Sequence, residues 1–257
     1  MTVRPSAPLG APTWIDLATS DVERAREFYA TVFGWSFEEP GPDYGGYVNA
    51  SLDGHLVAGL MPKHPEHHGP DTWTTYLHTA DIDATLAEGT KAGGTNCGGV
   101  MDIPAKGRMA VVTDPAGGFV GLWEPSGHPG FQLIEEPGAP AYFQLTARDY
   151  RGALDFYQRV FGWQLETAAD TDDFRYTTAM FDGVALLGVM DGAALLPEGA
   201  PSEWTCFLSA EDVDKTIELV VEHGGSVVRA AEDTPYGRLA AVTDPTGAGF
   251  NLTSWQG

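Results

Sequence analysis

Gly107-Arg108-Met109-Ala110-Val111-Val112-Thr113-Asp114-Pro115-Ala116-Gly117 returns later as Gly237-Arg238-Leu239-Ala240-Ala241-Val242-Thr243-Asp244-Pro245-Thr246-Gly247. Each copy reads as a strand, a tight Asp-Pro-x-Gly turn and the approach to a second strand. The turn has a mechanism: proline presets φ at its second position, aspartate bonds the backbone two residues on, and glycine tolerates positive φ. The second strands are 118–124 and 248–254. Asp114 and Asp244 stand 130 residues apart, so the chain is built twice.

Upstream of the first copy the same plan is laid down two times. Trp14–Thr19 alternates, with Ile15 and Leu17 on one face and Trp14, Asp16 and Ala18 on the other, a half-buried strand. Ser20 and Glu23 form a capping box. The helix behind it carries Val22, Ala25, Phe28, Tyr29, Val32 and Phe33 at helical spacing and ends at Gly34. Tyr44–Ser51 and His55–Met61, joined at Asp53-Gly54, form a hairpin. The second module opens with a strand over 72–79, with Trp73, Thr75 and Leu77 on one side and Thr74, Tyr76 and His78 on the other. A helix over 81–91 and a short strand over 100–103 lead into the quoted hairpin.

Residues 126–140 hold three prolines and three glycines and read as an interdomain linker. Beyond them, Tyr142–Thr146 matches Trp14–Ala18, Phe156-Tyr157 matches Phe28-Tyr29, and Val160-Phe161-Gly162-Trp163 matches Val32-Phe33-Gly34-Trp35. The expected organisation is an irregular arm over 1–12, a first domain over 13–125, the linker over 126–140 and a second domain over 141–257. The fold class is α+β, with two βαβββ modules per domain whose mixed sheets curl around a cleft.

Composition narrows the function classes. A chain of 257 residues suffices for two domains that each bury a core. Its net charge of −22, spread along the sequence, argues against nucleic acid and against anionic membrane surfaces and confers solubility. No apolar run approaches the roughly 20 residues of a membrane span, and the N-terminus lacks a signal-peptide apolar region. Cys97 and Cys206 alone fit a reducing cytoplasm. P-loop, dinucleotide, serine-hydrolase and zinc patterns are missing, so no cofactor is implied. The expected partner is a small molecule, on a cytoplasmic monomer or homodimer.

A strand followed by Asp, a helix with Phe-Tyr and Phe-Gly, and later Asp-Pro-x-Gly before a final strand resembles the vicinal-oxygen-chelate superfamily of glyoxalases, dioxygenases and bleomycin-resistance proteins. The resemblance runs from Trp14 to Trp255 and is closest to tandem two-domain actinobacterial members. It implies where a divalent metal would be held. One ligand is a His or Gln on a module's first strand, seven residues before the helix-starting Asp. Another is a Glu seven residues after the Asp of Asp-Pro-x-Gly. Here those positions are Trp14, Thr74, Tyr142 and Thr205, then Gly121 and Asn251. None is the family's ligand type, so no metal is expected. The loop cluster His64, Glu66, His67 and His68 lacks the spacing of a ligand set.

The first cleft is expected to be lined by Trp14, Asp16, Thr74, Tyr76, His78, Gly121 and Trp123, the second by Tyr142, Gln144, Thr205, Phe207, Asn251 and Thr253. Aromatic and hydroxyl side chains with few charges suit a flat, partly apolar molecule. The same aromatics would also fill a collapsed interface between modules. Asp16 and His78 favour the first cleft as the ligand site and are the acid/base candidates. The leading expectation is metal-independent binding of a planar antibiotic or natural-product intermediate, in resistance or as a biosynthetic accessory. The second is a non-metal isomerase, lyase or hydroxylase-like enzyme using Asp16 and His78. The third is a metal-dependent glyoxalase or dioxygenase with relocated ligands.

Overall fold

A computed structural model describes residues 3–39, 41–66 and 68–254. The first half folds as β1 (Pro12–Thr19), α1 (Val22–Phe33), β2 (Ser36–Glu38), β3 (Val48–Leu52), β4 (His55–Pro62), β5 (Thr72–His78), α2 (Ile82–Lys91), β6 (Thr95–Asn96), β7 (Met101–Ile103), β8 (Gly107–Thr113) and β9 (Phe119–Pro125). The second half repeats the plan as β10 (Pro140–Ala147), α3 (Tyr150–Phe161), β11 (Gln164–Asp170), β12 (Arg175–Phe181), β13 (Val184–Asp191), β14 (Glu203–Ser209), α4 (Val213–Glu222), β15 (Ser226–Thr234), β16 (Gly237–Thr243) and β17 (Gly249–Thr253).

Each domain is one open mixed sheet, ordered β2-β3-β4-β1-β5-β9-β8-β6 in the first and β11-β12-β13-β10-β14-β17-β16-β15 in the second. The two modules of a domain join through antiparallel first strands, β1 with β5 and β10 with β14. Inside each module the first strand runs parallel to the last. Alternation then assigns the faces. Ile15, Leu17, Trp73 and Leu77 enter the core, and Trp14, Asp16, Thr74 and Tyr76 stand on the concave side.

The helices start by one device. Asp21, Asp81, Asp149 and Asp212 each accept a backbone N–H three residues on, which satisfies a donor the first turn leaves orphaned. This corrects the expected Ser20/Glu23 capping box. Ser20 is spent elsewhere, its N–H and hydroxyl both donating to Asp71 Oδ2 at 2.8 and 2.7 Å. Gly34 and Gly162 end α1 and α3 in the left-handed region, where glycine avoids a Cβ penalty.

The repeated turn also fastens the domains together. Asp114 Oδ1 accepts the N–H groups of Ala116 and Gly118, and Asp244 Oδ1 accepts those of Thr246 and Ala248. The other carboxylate oxygen takes a tyrosine hydroxyl from the opposite domain, Tyr157 on Asp114 and Tyr29 on Asp244. Trp73 and Trp204 complete the pair by donating to those same hydroxyls. Around them α1 packs beside α4 and α2 beside α3, and Phe250 sits within ring contact of Phe28, Tyr29 and Phe33.

The segments read as arm and linker have irregular backbones with specific partners. Arg4 N–H donates to Gln132 O and Gly10 N–H to His78 O, while Phe131 N–H reaches Thr13 O. Phe131 and Leu133 are buried, and Trp163 Nε1 donates to Gly10 O at 2.8 Å.

Candidate functional site

Strand parity places a cleft on the concave face of each sheet, and the two differ in what fills them. In the first, Trp14, Asp16, Thr74, Tyr76 and Trp123 are all less than a tenth exposed. Tyr47, just ahead of β3, leans over Gly59, and its hydroxyl accepts Trp14 Nε1–H at 2.7 Å. The Tyr76 hydroxyl bonds the Asp16 carboxyl. Burial raises the Asp16 pKa to about 7, against which the Tyr76 bond pulls down. Burial and the neighbouring Asp16 push the hydroxyls of Tyr47 and Tyr76 well up, so both remain proton donors at any ordinary pH.

One further wall of this cleft is His128, from the segment read as linker. Its ring stands edge-on to Trp14 at 4.5 Å and near Trp123 at 5.8 Å. Nδ1 accepts Gly130 N–H, which leaves the proton of the neutral ring on Nε2. Burial, with Lys106 nearby, lowers its pKa to about 4. Sequence reading missed His128 because it falls between glycine and proline, where no periodicity assigns a face. Tyr47 was missed for a related reason: a register shift between Ala50 and Ser51 breaks the alternation through which a hairpin residue is placed. The signal for Tyr47 was the repeat itself, since Tyr176 occupies the matching place over Gly188.

His78 lies on the concave face but turns to the arm, with Nδ1 2.7 Å from Ala7 O. Asp16 pairs across the strands with Thr74, four residues before His78, a separation of about 13 Å at strand rise. The two acid/base candidates therefore share no hydrogen bond. What surrounds Asp16 is Tyr76 and Tyr47.

The second cleft holds the corresponding residues in a looser state. Tyr142, Gln144, Tyr176, Thr205 and Asn251 are half-buried, and Phe207 and Thr253 are buried. Tyr176 OH meets Tyr142 OH at 3.2 Å and Gln144 Oε1 at 3.4 Å. Phe207 stands edge-on to Tyr142 at 5.8 Å, and Phe174 stacks on Tyr176 at 5.9 Å. Burial pushes the Tyr142 hydroxyl up strongly and that of Tyr176 to about 12. A cavity of about 390 Å³ shares Thr205 and Asn251 with this cleft and is lined also by Ala241 and Gly249. A larger hollow of about 500 Å³ lies elsewhere, between α1 and α4, away from both clefts.

The donor set for a metal does not fit. Register extends the glutamate-equivalent positions to all four modules: Gly59 beside Asp16, Gly121 beside Tyr76, Gly188 beside Gln144 and Asn251 beside Phe207. Three are glycine, and in each a side chain would overlap a tyrosine, Tyr47, Tyr76 or Tyr176. The first-strand positions offer Trp14, Thr74, Tyr142 and Thr205, none an imidazole or carboxylate. Among the described residues no group of three His, Cys, Asp or Glu side chains is arranged to hold a metal ion. His67, from the loop cluster, lies outside the described residues.

The arginines of the repeated hairpin are held in ion pairs. Arg108 pairs with Asp83, Asp102 and Glu124, and Arg238 with Asp214 and Asp233. Cys206 is buried, its thiol pushed up to about 12 by burial, and Cys97 is exposed.

Comparison with known proteins agrees with this architecture. A model of the glyoxalase/bleomycin resistance protein/dioxygenase superfamily matches residues 12–120 and again 139–252. "Putative glyoxylase CFP32" of Mycobacterium tuberculosis (strain CDC 1551 / Oshkosh) is 33% identical over 248 residues, covering 95% of this chain and 94% of its own. "Anthracycline biosynthesis protein DnrV" of Streptomyces peucetius is 34% identical over 266 residues, covering 95% of this chain and 92% of its own. Among solved structures, the Mn(II)-bound glyoxalase from Novosphingobium aromaticivorans superposes with a TM-score of 0.68 at 14% identity, over 97% of this chain and 83% of that one. That last likeness is one of fold alone.

Proposed function

The chain belongs to the glyoxalase/bleomycin resistance protein/dioxygenase superfamily, and from that premise we propose that it binds a planar, partly apolar small molecule in its second cleft, without a metal. The observation that carries this is the pairing of glycine with an overlying tyrosine where the family's glutamate would stand. It turns the metal floor of each cleft into an aromatic surface. In the second cleft that surface remains reachable. Tyr142, Tyr176 and Phe207 supply ring faces, and Gln144, Thr205 and Asn251 supply amide and hydroxyl groups to orient a ligand. The relative of Streptomyces peucetius bears an anthracycline-biosynthesis name, and anthracyclines are planar polycycles. A natural-product intermediate or antibiotic is therefore the ligand class, in a resistance or accessory biosynthetic role.

The test is fluorescence titration with hydroxylated anthraquinones before and after exhaustive chelation. Binding is expected to survive chelation and to fall about fivefold in Tyr142→Ala, since losing one aromatic contact is worth on the order of 1 kcal/mol. Binding that disappears with chelation and returns with Mn²⁺ or Zn²⁺ overturns the reading.

One observation favours a second reading. Asp16, with a pKa raised to about 7 and a tyrosine hydroxyl beside it, has the character of a general base. A substrate reaching it would first have to displace Tyr47 from Trp14.

A further inference from the structure

The two-fold repeat allows each cleft's outer end to be compared with its counterpart in the other domain. At the end of the first cleft, Pro201 and Ser202, which precede β14, close against the turn at 114–118. Ser202 N–H donates to Ala116 O at 3.0 Å. A Cβ placed on Gly117 would stand 2.8 Å from Pro201 Cβ, and one on Gly118 3.1 Å from Ser202 Cβ. The end of the second cleft is built from the matching parts, Pro70 and Asp71 before β5 facing the turn at 244–248. Here the contact is missing. Among the described residues no backbone hydrogen bond joins the two segments, and a Cβ on Gly247 or Gly249 would meet nothing within 4 Å. The gap is the cavity of about 390 Å³, lined by Pro70, Asp71 and Thr72 from the first domain and by Glu203, Thr205 and Asn251 from the second.

Two positions at this end differ between the repeats. Asp71 stands where the other repeat has the smaller Ser202, and its carboxylate is held by Ser20, Thr19 and Lys63. Gly249 stands where the first domain has Phe119, each being the first residue of its domain's last strand. Gly249 lies two residues from Asn251, so both face the cleft.

Resting on the second-cleft reading above, we infer that this interdomain cavity is the mouth and second half of the same binding site, and that it admits neutral or cationic planar ligands in preference to anions. Charge along the lining supports the selection. Asp71 is the one buried carboxylate there, already matched by Lys63. Glu203 is exposed and its side chain has no hydrogen-bond or ion-pair partner among the described residues, and no Lys or Arg lines the cavity. The whole chain carries −22, so the approach is electronegative as well. A ligand of this kind has its planar part between Tyr142, Tyr176 and Phe207. A polar, uncharged or cationic substituent extends toward Thr205, Asn251 and Glu203.

The test uses the full chain and three planar dyes: proflavine (cationic), 1,4-dihydroxyanthraquinone (neutral) and anthraquinone-2-sulfonate (anionic). The wild-type protein is expected to bind the first two at least tenfold more tightly than the third. Gly249→Phe, which restores the first domain's residue in open space, is expected to weaken the neutral dye at least tenfold. Gly249→Ser, too small to fill the mouth, keeps affinity within about twofold and controls for backbone effects. Glu203→Gln is expected to narrow the preference of proflavine over the sulfonate several-fold. Retained wild-type affinity in a folded Gly249→Phe protein overturns the mouth. An unchanged charge preference in Glu203→Gln overturns the selection. If Tyr142→Ala also leaves binding intact, the second-cleft reading itself has failed, and if no dye binds the wild type, both have failed.

Discussion

The two clefts come from one repeated pattern and hold opposite kinds of interior. The first is closed: Trp14, Tyr47, Asp16 and Tyr76 form a chain of side-chain contacts, with His128 and Trp123 as a second wall. Across its mouth, Tyr44 OH donates to Pro104 O at 2.9 Å, joining the β2–β3 connection to the β7–β8 turn at the other side of the sheet. The second has Gln144 where the first has Asp16, Asn251 where it has Gly121, and Gly249 where it has Phe119. Its rim residues Phe174 and Tyr236 are 49% and 56% exposed. Duplication thus permits a division of labour within one chain. One cleft is converted into core and stabilises the scaffold, and the other keeps an accessible wall. Fold alone does not reveal this, because function resides in the site carried by a fold.

The comparison is broken most forcefully by returning the family's carboxylate to each cleft in turn. Gly121→Glu must place a side chain through the Tyr76 ring and add a charge beside Asp16. Overpacking and an unpaired buried charge together are expected to cost at least about 3 kcal/mol, enough to remove much of a typical domain's stability. Asn251→Glu sits on a half-buried wall beside the cavity and should cost no more than about 1 kcal/mol. Urea denaturation of the two variants measures this. Equal losses would mean that the clefts are equally packed and that the contrast drawn between them is false.

The next largest effect is the pH dependence that the first cleft alone should show. Asp16 has a folded-state pKa of about 7, above its unfolded value, so the native state keeps a proton that the unfolded chain releases near pH 4. The favourable contribution of the neutral carboxyl is therefore whole below pH 4 and is lost as pH rises through 7. The gap corresponds to on the order of 4 kcal/mol. Asp16→Asn, which keeps an acceptor for Tyr76 and cannot ionise, should match the wild type at pH 4 and be the more stable protein at pH 8. Gln144→Ala in the second cleft should give a difference independent of pH. A wild-type minus Asp16→Asn difference that stays flat between pH 4 and 8 would show Asp16 to be solvated, and the first cleft open.

How much of this the sequence reveals depends on whether a residue lies on a regular element. The Asp-Pro-x-Gly repeat fixes the duplication, and counting seven residues from Asp114 and Asp244 reaches Gly121 and Asn251, so the poor fit to a metal is legible before any coordinates. Trp14, Asp16, Tyr76 and Thr205 are legible too, because β1 pairs with β5 in unbroken register from Trp14 onward, and β10 with β14 from Tyr142 onward. His128 is not, since glycine and proline around it erase periodicity. Tyr47 and Tyr176 are hidden by register shifts in the β3–β4 and β12–β13 pairings. The contrast between the clefts is invisible locally: Phe119 and Gly249 acquire meaning only when Pro201 and Pro70 approach from the other domain.

The smallest effect concerns the clasp over the first cleft. Tyr44 follows Gly41 and precedes Gly45 and Gly46, all at positive φ, so the segment is a short turn that closes on itself and reaches Pro104 by one hydroxyl. Lys106 Nζ lies 5.9 Å from the Tyr44 ring centroid, a weak cation–π contact at an exposed site. Removing the hydroxyl in Tyr44→Phe deletes one hydrogen bond and keeps the ring. The loss should be about 1 kcal/mol or less and confined to local opening, which raises amide exchange over residues 41–48 about fivefold. Phe174→Ala, at the matching rim of the second cleft, has no such bond to lose and should leave exchange in its own hairpin near the wild-type rate. Exchange that rises equally in both variants would show that the first cleft is held shut by its buried network alone and that Tyr44 adds nothing to the difference between the two.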